Sequence, residues 1–279
     1  MKNILYILLI TSLFFSCKSN TKQAAKDSTN TINSTDNKGA GLIQKFKPII
    51  QGVWVKKDYI DKVLSKKSPL AAADEATGMT TMYINTDRIK GDSITVPVGW
   101  GNHEGSELML KFRPGKAAST IQFGDGDLGY SVENGDTLLV ISRLDEDEKK
   151  IITTKYSKAL NKQPDGDLGY GMAYIINKNL VAGNYTLTDS TGTSSKVTFN
   201  ADGKVSGFYN FKEFMINIDL NSDPMENLDE IGFDYDKKDH ASYSFKIDAN
   251  NLNLYATHPN ADSTELVLGK LAYKLVRQK

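Results

Sequence analysis

Between Tyr185 and Leu275, apolar side chains recur at every second position in short runs, and turn residues separate the runs. Val197 and Phe199 precede the turn sequence Asn200-Ala201-Asp202-Gly203, and Val205 follows it. Phe214, Ile216, Ile218 and Leu220 share one face of the next run, followed by Ile231, Phe233 and Tyr235, then Tyr243, Phe245 and Ile247. Asn250-Asn251 turns the chain toward Leu252 and Leu254, and Leu266, Leu268, Leu271, Tyr273 and Leu275 complete the series. A period of two places such side chains on one face of a strand. With Tyr185 and Leu187 at the start, the pattern predicts about eight short strands with turns every ~8–12 residues, a sandwich or closed barrel rather than an alternating α/β sheet.

The first half repeats this pattern with one interruption. A strand is predicted from Val53 to Lys56, after which Tyr59-Ile60 and Val63-Leu64 recur at helical spacing. Pro69 is placed to open a second short helix, Leu70 to Ala76. Strands resume at Met79 to Ile84, Ser93 to Val98, Leu108 to Phe112, Thr120 to Phe123, Leu128 to Val132, Thr137 to Ile141 and Ile151 to Tyr156. The predicted fold is therefore all-β: two tandem antiparallel barrel or meander domains over residues 42–160 and 161–279. The first carries a short helical insert after its first strand, read as a lid. Each half opens on a Gly-x-aromatic strand, Gly52-Val53-Trp54 and Gly183-Asn184-Tyr185, and each ends on a strand with a basic residue after tyrosine, Tyr156-Ser157-Lys158 and Tyr273-Lys274. That parallel suggests duplication, although no strict repeat exists. The hexapeptide DGDLGY, at Asp125–Tyr130 and again at Asp165–Tyr170, does not match the domain period and reads as a turn sequence used twice.

Upstream of residue 42 the picture changes. Residues 18–41 are Ser, Thr, Asn, Lys, Gly and Ala with hardly any apolar side chain, a composition that cannot offset the entropy of ordering. They read as a tether, spanning roughly 25–30 Å as a flexible coil. Before them, Lys2 supplies a positive start and Ile4 to Phe15 is a 12-residue run without charge. A spanning helix needs ~20 apolar residues, so this run suits the apolar region of a signal peptide, residues 1–16. At Ser16-Cys17 the chain resembles bacterial lipoprotein precursors, in which a small residue precedes the cysteine that is diacylated and becomes N-terminal. The alternative is a soluble secreted protein with an incidental cysteine. Lys18-Ser19-Asn20 lacks both the aspartate of inner-membrane retention and the acidic cluster of surface export. The resemblance thus implies a lipid-anchored protein of the outer membrane, on its periplasmic side, with surface display as the second choice.

Charge and cysteine content narrow the function classes. Lys plus Arg number 34 and Asp plus Glu 34, so no basic surplus exists to neutralise phosphates, and nucleic acid is not an expected partner. The one cysteine, Cys17, excludes an intramolecular disulfide, a CxxC redox pair and a cysteine-rich zinc site.

Gly52-Val53-Trp54 at the head of a β-meander is similar to the G-x-W opening of lipocalins, where the tryptophan plugs the closed barrel end beneath a basic side chain from the last strand. The resemblance implies the same barrel-end role for Trp54 and for Tyr185. The helical insert looks like the lid of fatty-acid-binding proteins. The mature region as a whole resembles the lipocalin-like lipoproteins of Bacteroidota, most strongly from Leu180-Val181-Ala182-Gly183-Asn184-Tyr185 to Leu268-Gly269-Lys270-Leu271-Ala272-Tyr273-Lys274-Leu275. The second and third lipocalin signatures are not recognisable, and the Arg-x-Tyr carboxylate clamp of fatty-acid-binding proteins has no counterpart in either terminal strand.

Candidate chemistry is sparse. His103, His240 and His258 are scattered, and the adjacent His103-Glu104 point to opposite faces of a strand, so no metal site is expected. No G-x-S-x-G, Walker A or dinucleotide fingerprint occurs, and no catalytic residue or cofactor is assigned. The carboxylate pairs Asp125/Asp127 and Asp165/Asp167 lack the closing glutamate of a calcium loop. What remains is Pro97-Val98-Gly99-Trp100-Gly101-Asn102-His103-Glu104-Gly105, read as a glycine-hinged loop at a barrel rim. There Trp100 offers a stacking face and Asn102, His103 and Glu104 offer polar contacts to a ligand, or the same residues simply pack and brace the loop. The expectation is a non-catalytic, membrane-anchored binder of a small, partly apolar ligand or envelope component, with any cavity in the first domain. The alternative is a structural or partner-binding lipoprotein whose barrels are filled, notably by Phe199, Phe214, Phe233, Phe245 and Tyr273.

Overall fold

The first helix, α1 (Ser34–Ile50), ends one residue before the first strand and lays its apolar side chains into that strand's barrel. The computed structural model describes residues 34–188, 191–220 and 224–278. The expected signal peptide, Cys17 and residues 18–33 of the expected tether lie outside the described residues. Residues 34–41 of that tether, and residues 42–50 beyond it, are helical rather than coil or strand. The reason is visible in the spacing: Leu42, Ile43, Phe46, Ile49 and Ile50 form one face of a helix, and Phe46 and Ile50 are wholly buried.

Eight strands follow: β1 (Gly52–Lys56), β2 (Met79–Ile84), β3 (Ser93–Trp100), β4 (Glu104–Pro114), β5 (Ile121–Phe123), β6 (Gly126–Glu133), β7 (Asp136–Asp145) and β8 (Lys150–Leu160). Each pairs antiparallel with the next, and β8 returns to β1 to close a barrel. The interior takes alternate residues from every strand, among them Met82, Val96, Leu110, Ile121, Leu128 and Leu139. Between β1 and β2 lie α2 (Lys57–Lys66) and a 3-10 turn, Leu70–Glu75.

After β8, α3 (Tyr170–Leu180) occupies a stretch for which the strand pattern predicts no element. Its signal is the i, i+4, i+8 series Met172, Ile176 and Leu180, all buried. A second sheet then forms from β9 (Gly183–Thr188), β10 (Ser194–Phe199), β11 (Val205–Ser206), β12 (Phe214–Ile216), β13 (Glu230–Phe233), β14 (Ala241–Asp248), β15 (Asn251–Pro259) and β16 (Leu266–Arg277). Its order is β11-β10-β9-β16-β15-β14-β13-β12. The edge strands β11 and β12 are not strangers. Lys204 bridges to Glu213, Val205 N donates to Lys212 O at 2.9 Å, and Phe214 N donates to Gly203 O at 2.7 Å. Phe199 fills the centre, with ring centroids 5.6 Å from Tyr185, 5.1 Å from Phe214 and 6.2 Å from Phe233.

The insert is not a lid on the first barrel. The buried side chains of α2, Tyr59, Ile60 and Val63, cluster with Phe199, Phe214 and Phe245 of the second sheet, while the first barrel's interior is a separate cluster. Amphipathicity fixes that a helix buries a face but not which core receives it. Residues 35–279 accordingly form one compact unit.

Both halves use one device where helix meets strand. Gly52, at φ +132°, turns the chain from α1 into β1, and the indole of the wholly buried Trp54 donates to Ile50 O at 2.8 Å. In the second half the phenol of buried Tyr185 donates to Val181 O at 2.7 Å. Each bond satisfies a carbonyl that the helix end leaves open. A cation from the last strand stands over each ring: Lys158 Nζ at 4.9 Å from the Trp54 centroid, and the Arg277 guanidinium at 5.2 Å from that of Tyr185. The second cation is Arg277, not the Lys274 suggested by the Tyr-Lys pattern. Arg277 is the strand partner of Tyr185 as Lys158 is of Trp54, whereas Lys274 pairs with Asn253.

Candidate functional site

The strand ends opposite Trp54 leave a cup in the first barrel, a cavity of about 360 Å³. Its wall is apolar where Met79, Leu108, Phe123, Ile141 and Tyr156 meet. Strand alternation carries Ile141 and Arg143 to the same side of β7, which brings the Arg143 guanidinium to the rim near Asp125. Trp100 is at the same rim, its ring fixed by a bond from Nε1 to Ser106 Oγ at 2.7 Å. Tyr156 donates to Met79 O at 2.9 Å, and burial holds its phenol well above the usual tyrosine range. Lys56 is spent on structure: its ammonium donates to Glu75 O at 2.9 Å and Thr77 O at 3.1 Å, pinning the end of the insert to the barrel mouth.

The segment Pro97 to Gly105 is less of a loop than its glycines suggest. Pro97 to Trp100 belong to β3, Glu104 and Gly105 to β4, and only Gly101 to His103 make the turn. Gly99 is paired with Gly105 inside the sheet, where a Cβ would come within 2.7 Å of the Thr81 methyl. Close packing, rather than hinging, accounts for it. Gly101 and Asn102, at φ +58° and +60°, reverse the chain.

Of the four side chains grouped there by sequence, one parts from the other three. Trp100 turns to the cup. Asn102 reaches the other way, donating through Nδ2 to Ile218 O at 3.2 Å, and His103 Nδ1 meets Asp219 at 2.8 Å. Asn102, His103 and Glu104 nonetheless share a small recess of about 110 Å³ with Leu168, Met172 and Ile218, so only Trp100 is separated from the group. The turn thus clasps the segment that follows β12. Trp54 and Tyr185 lie at the helix-plugged ends, remote from the cup. Arg143, Met79 and Tyr156 are not among the site residues expected from the sequence, because each joins the cup from a different strand and no local pattern links them.

The two aspartate pairs serve loops. Asp127 is buried and accepts from Ala117 N at 2.7 Å, while Asp165 makes a two-pronged bond to Arg88 at 2.9 and 3.0 Å. Among the described residues no helix is long and apolar enough to cross a membrane. No family model, curated protein or solved structure matches the chain.

Proposed function

We propose that the chain is a lipid-anchored cell-envelope protein built of two lipocalin-like barrels, residues 42–160 and 161–279, which binds a small, partly apolar ligand without transforming it. Diacylated Cys17 holds it to the outer membrane, on the periplasmic side in preference to the surface. Two acyl chains make a stable anchor where one does not. The two-barrel reading is supported by the shared order of the sheets. In each half the first strand pairs with the second and the last, and the helix-plus-aromatic plug recurs at matching register. Resemblance to the Bacteroidota lipocalin-like lipoproteins belongs to the same proposal.

The observation that carries ligand binding is the cup: apolar walls, the Trp100 face, and Arg143 and Asp125 at the rim, in a volume within the usual ligand range of ~300–1,000 Å³. One observation favours the structural alternative. The second sheet's interior is packed with Phe199, Phe214, Phe233 and Phe245, all at most 5% exposed.

Native mass spectrometry of the protein drawn from its own envelope decides between them. A stoichiometric small-molecule adduct is expected, and Leu108→Trp, which fills the cup, should abolish it. A bare lipidated mass in wild type would favour the filled-barrel protein. Cys17→Ala should remove the acyl mass in either case.

A further inference from the structure

A larger cleft, about 600 Å³, lies against α3 and is bounded by the turn before β11 and by strands β12 and β13. Its charge is one-sided. Asp167, Asp202, Asp219, Glu226 and Glu230 border it, and among the described residues no lysine or arginine does. Two lysines close to it in sequence are paired with carboxylates that do not line it, Lys204 with Glu213 at 2.5 Å and Lys237 with Asp234 at 3.0 Å. Among the described residues Asp167, Asp202 and Glu230 make no ion pair.

Carboxylates alone do not make a site, but two further features converge here. The first is Asn177, on the cleft-facing side of α3 and only 3% exposed. Its Nδ2 donates to Ala201 O at 3.4 Å, while its Oδ1 has no donor at all. A buried amide oxygen without a partner is costly, and a ligand N–H relieves it. The second is aromatic. Tyr170 and Tyr174 stack one helical turn apart, centroids 6.3 Å and planes 29° from each other, and Tyr235 across the cleft is 60% exposed. Met215 beside it is 48% exposed. Aromatic faces attract cations, and more strongly when water is displaced.

We propose that this cleft is a second binding site, independent of the barrel cup, for an organic ammonium ion with an apolar arm. The ammonium lies among Asp202, Glu230 and the Asn177 amide oxygen, and the arm lies on the tyrosine faces. A neutral sugar would use the stacked rings and the amide but would gain nothing from the one-sided charge. An anion is repelled.

The test uses the full lipidated chain in phosphatidylcholine nanodiscs, with empty discs as the blank. Phenethylammonium, its neutral isostere 2-phenylethanol and the disaccharide cellobiose are titrated calorimetrically. Saturable one-to-one binding of the ammonium is expected, about tenfold or more tighter than the alcohol. Asp202→Asn with Glu230→Gln should weaken it about tenfold, Tyr174→Ala should weaken it too, and Leu108→Trp in the cup should leave it unchanged. Thermal melting of each variant checks that the fold is retained. Equal affinity for alcohol and ammonium, tighter binding of cellobiose, or no binding above the blank at millimolar ligand each overturns the proposal.

Discussion

Arg277 lies across the ring of Tyr185 and donates through Nη2 both to the phenol oxygen, at 2.7 Å, and to Leu180 O, at 2.8 Å. One guanidinium thereby ties the last strand, the first strand of the second sheet and the end of α3. Lys158 holds the matching position over Trp54 through the ring contact alone, and burial lowers its pKa. Arg277→Ala is therefore expected to cost about 2–3 kcal/mol, because it also strands a carbonyl at a helix end. Lys158→Ala should cost about 0.5–1 kcal/mol. Urea midpoints of the two variants measure the gap, and equal losses would contradict the assignment.

Gly52 and Gly183 open corresponding strands but face different constraints. At Gly52, φ is +132° and a Cβ would sit 2.6 Å from Leu160 O. At Gly183 the nearest atom to such a Cβ is a movable guanidinium nitrogen of Arg277 at 3.5 Å. Gly183 also holds a positive φ, +153°, but only at Gly52 does the added Cβ meet backbone, so Gly52→Ala is expected to lose about 2 kcal/mol or more and Gly183→Ala less. A larger loss at Gly183 would refute this.

Ile60 belongs to the first half by sequence and to the second sheet's core by packing. Its replacement by alanine should cost about 2–4 kcal/mol. Both tryptophans, Trp54 and Trp100, lie in the first barrel, so their emission reports that barrel alone. In Ile60→Ala the tryptophan transition and the far-ultraviolet transition should shift together. If tryptophan emission keeps its wild-type midpoint while the rest of the chain unfolds earlier, the shared core is wrong.

Asp229 is half-buried between the insert and the second sheet, where it accepts from Leu70 N at 2.9 Å. Burial raises its pKa above 3.8, against hydrogen bonds from Ser68 and Leu70 that lower it. The folded state therefore holds this proton more tightly than the unfolded state. The contribution favours folding below the unfolded value and is lost as pH rises through the raised folded value. Asp229→Asn keeps an acceptor for Leu70 without the buried charge. It is expected to raise the urea midpoint at neutral pH and to change it little at about pH 3. An equal effect at both would rule out the charge as the cause.

Much of the strand framework was legible in the chain, because alternation at period two survives in any strand with one buried face. Gly52-x-Trp54 and Gly183-x-Tyr185 were legible as corresponding strand starts for the same local reason. The helices were harder. The apolar face of α1, Leu42 to Ile50, adjoins eight polar or small residues that resemble a linker, and α3 follows a turn-like DGDLGY. Legibility failed most at the site. Trp100, Asn102 and His103 are neighbours in sequence, yet a tight hairpin turns the first toward the cup and the others toward the segment that follows β12. Arg143 and Tyr156 reach the cup only through strand register, which composition does not encode.

The placement of α2 also bears on synthesis. Tyr59, Ile60 and Val63 emerge from the ribosome more than a hundred residues ahead of Phe199, Phe214 and Phe245, which cover them. A first barrel that closed early would carry a bare apolar helix until the chain was complete, the kind of surface that recruits chaperones or aggregates. A product cut short after β8 would lose the cover for that helix, so the two halves of the chain stand or fall together.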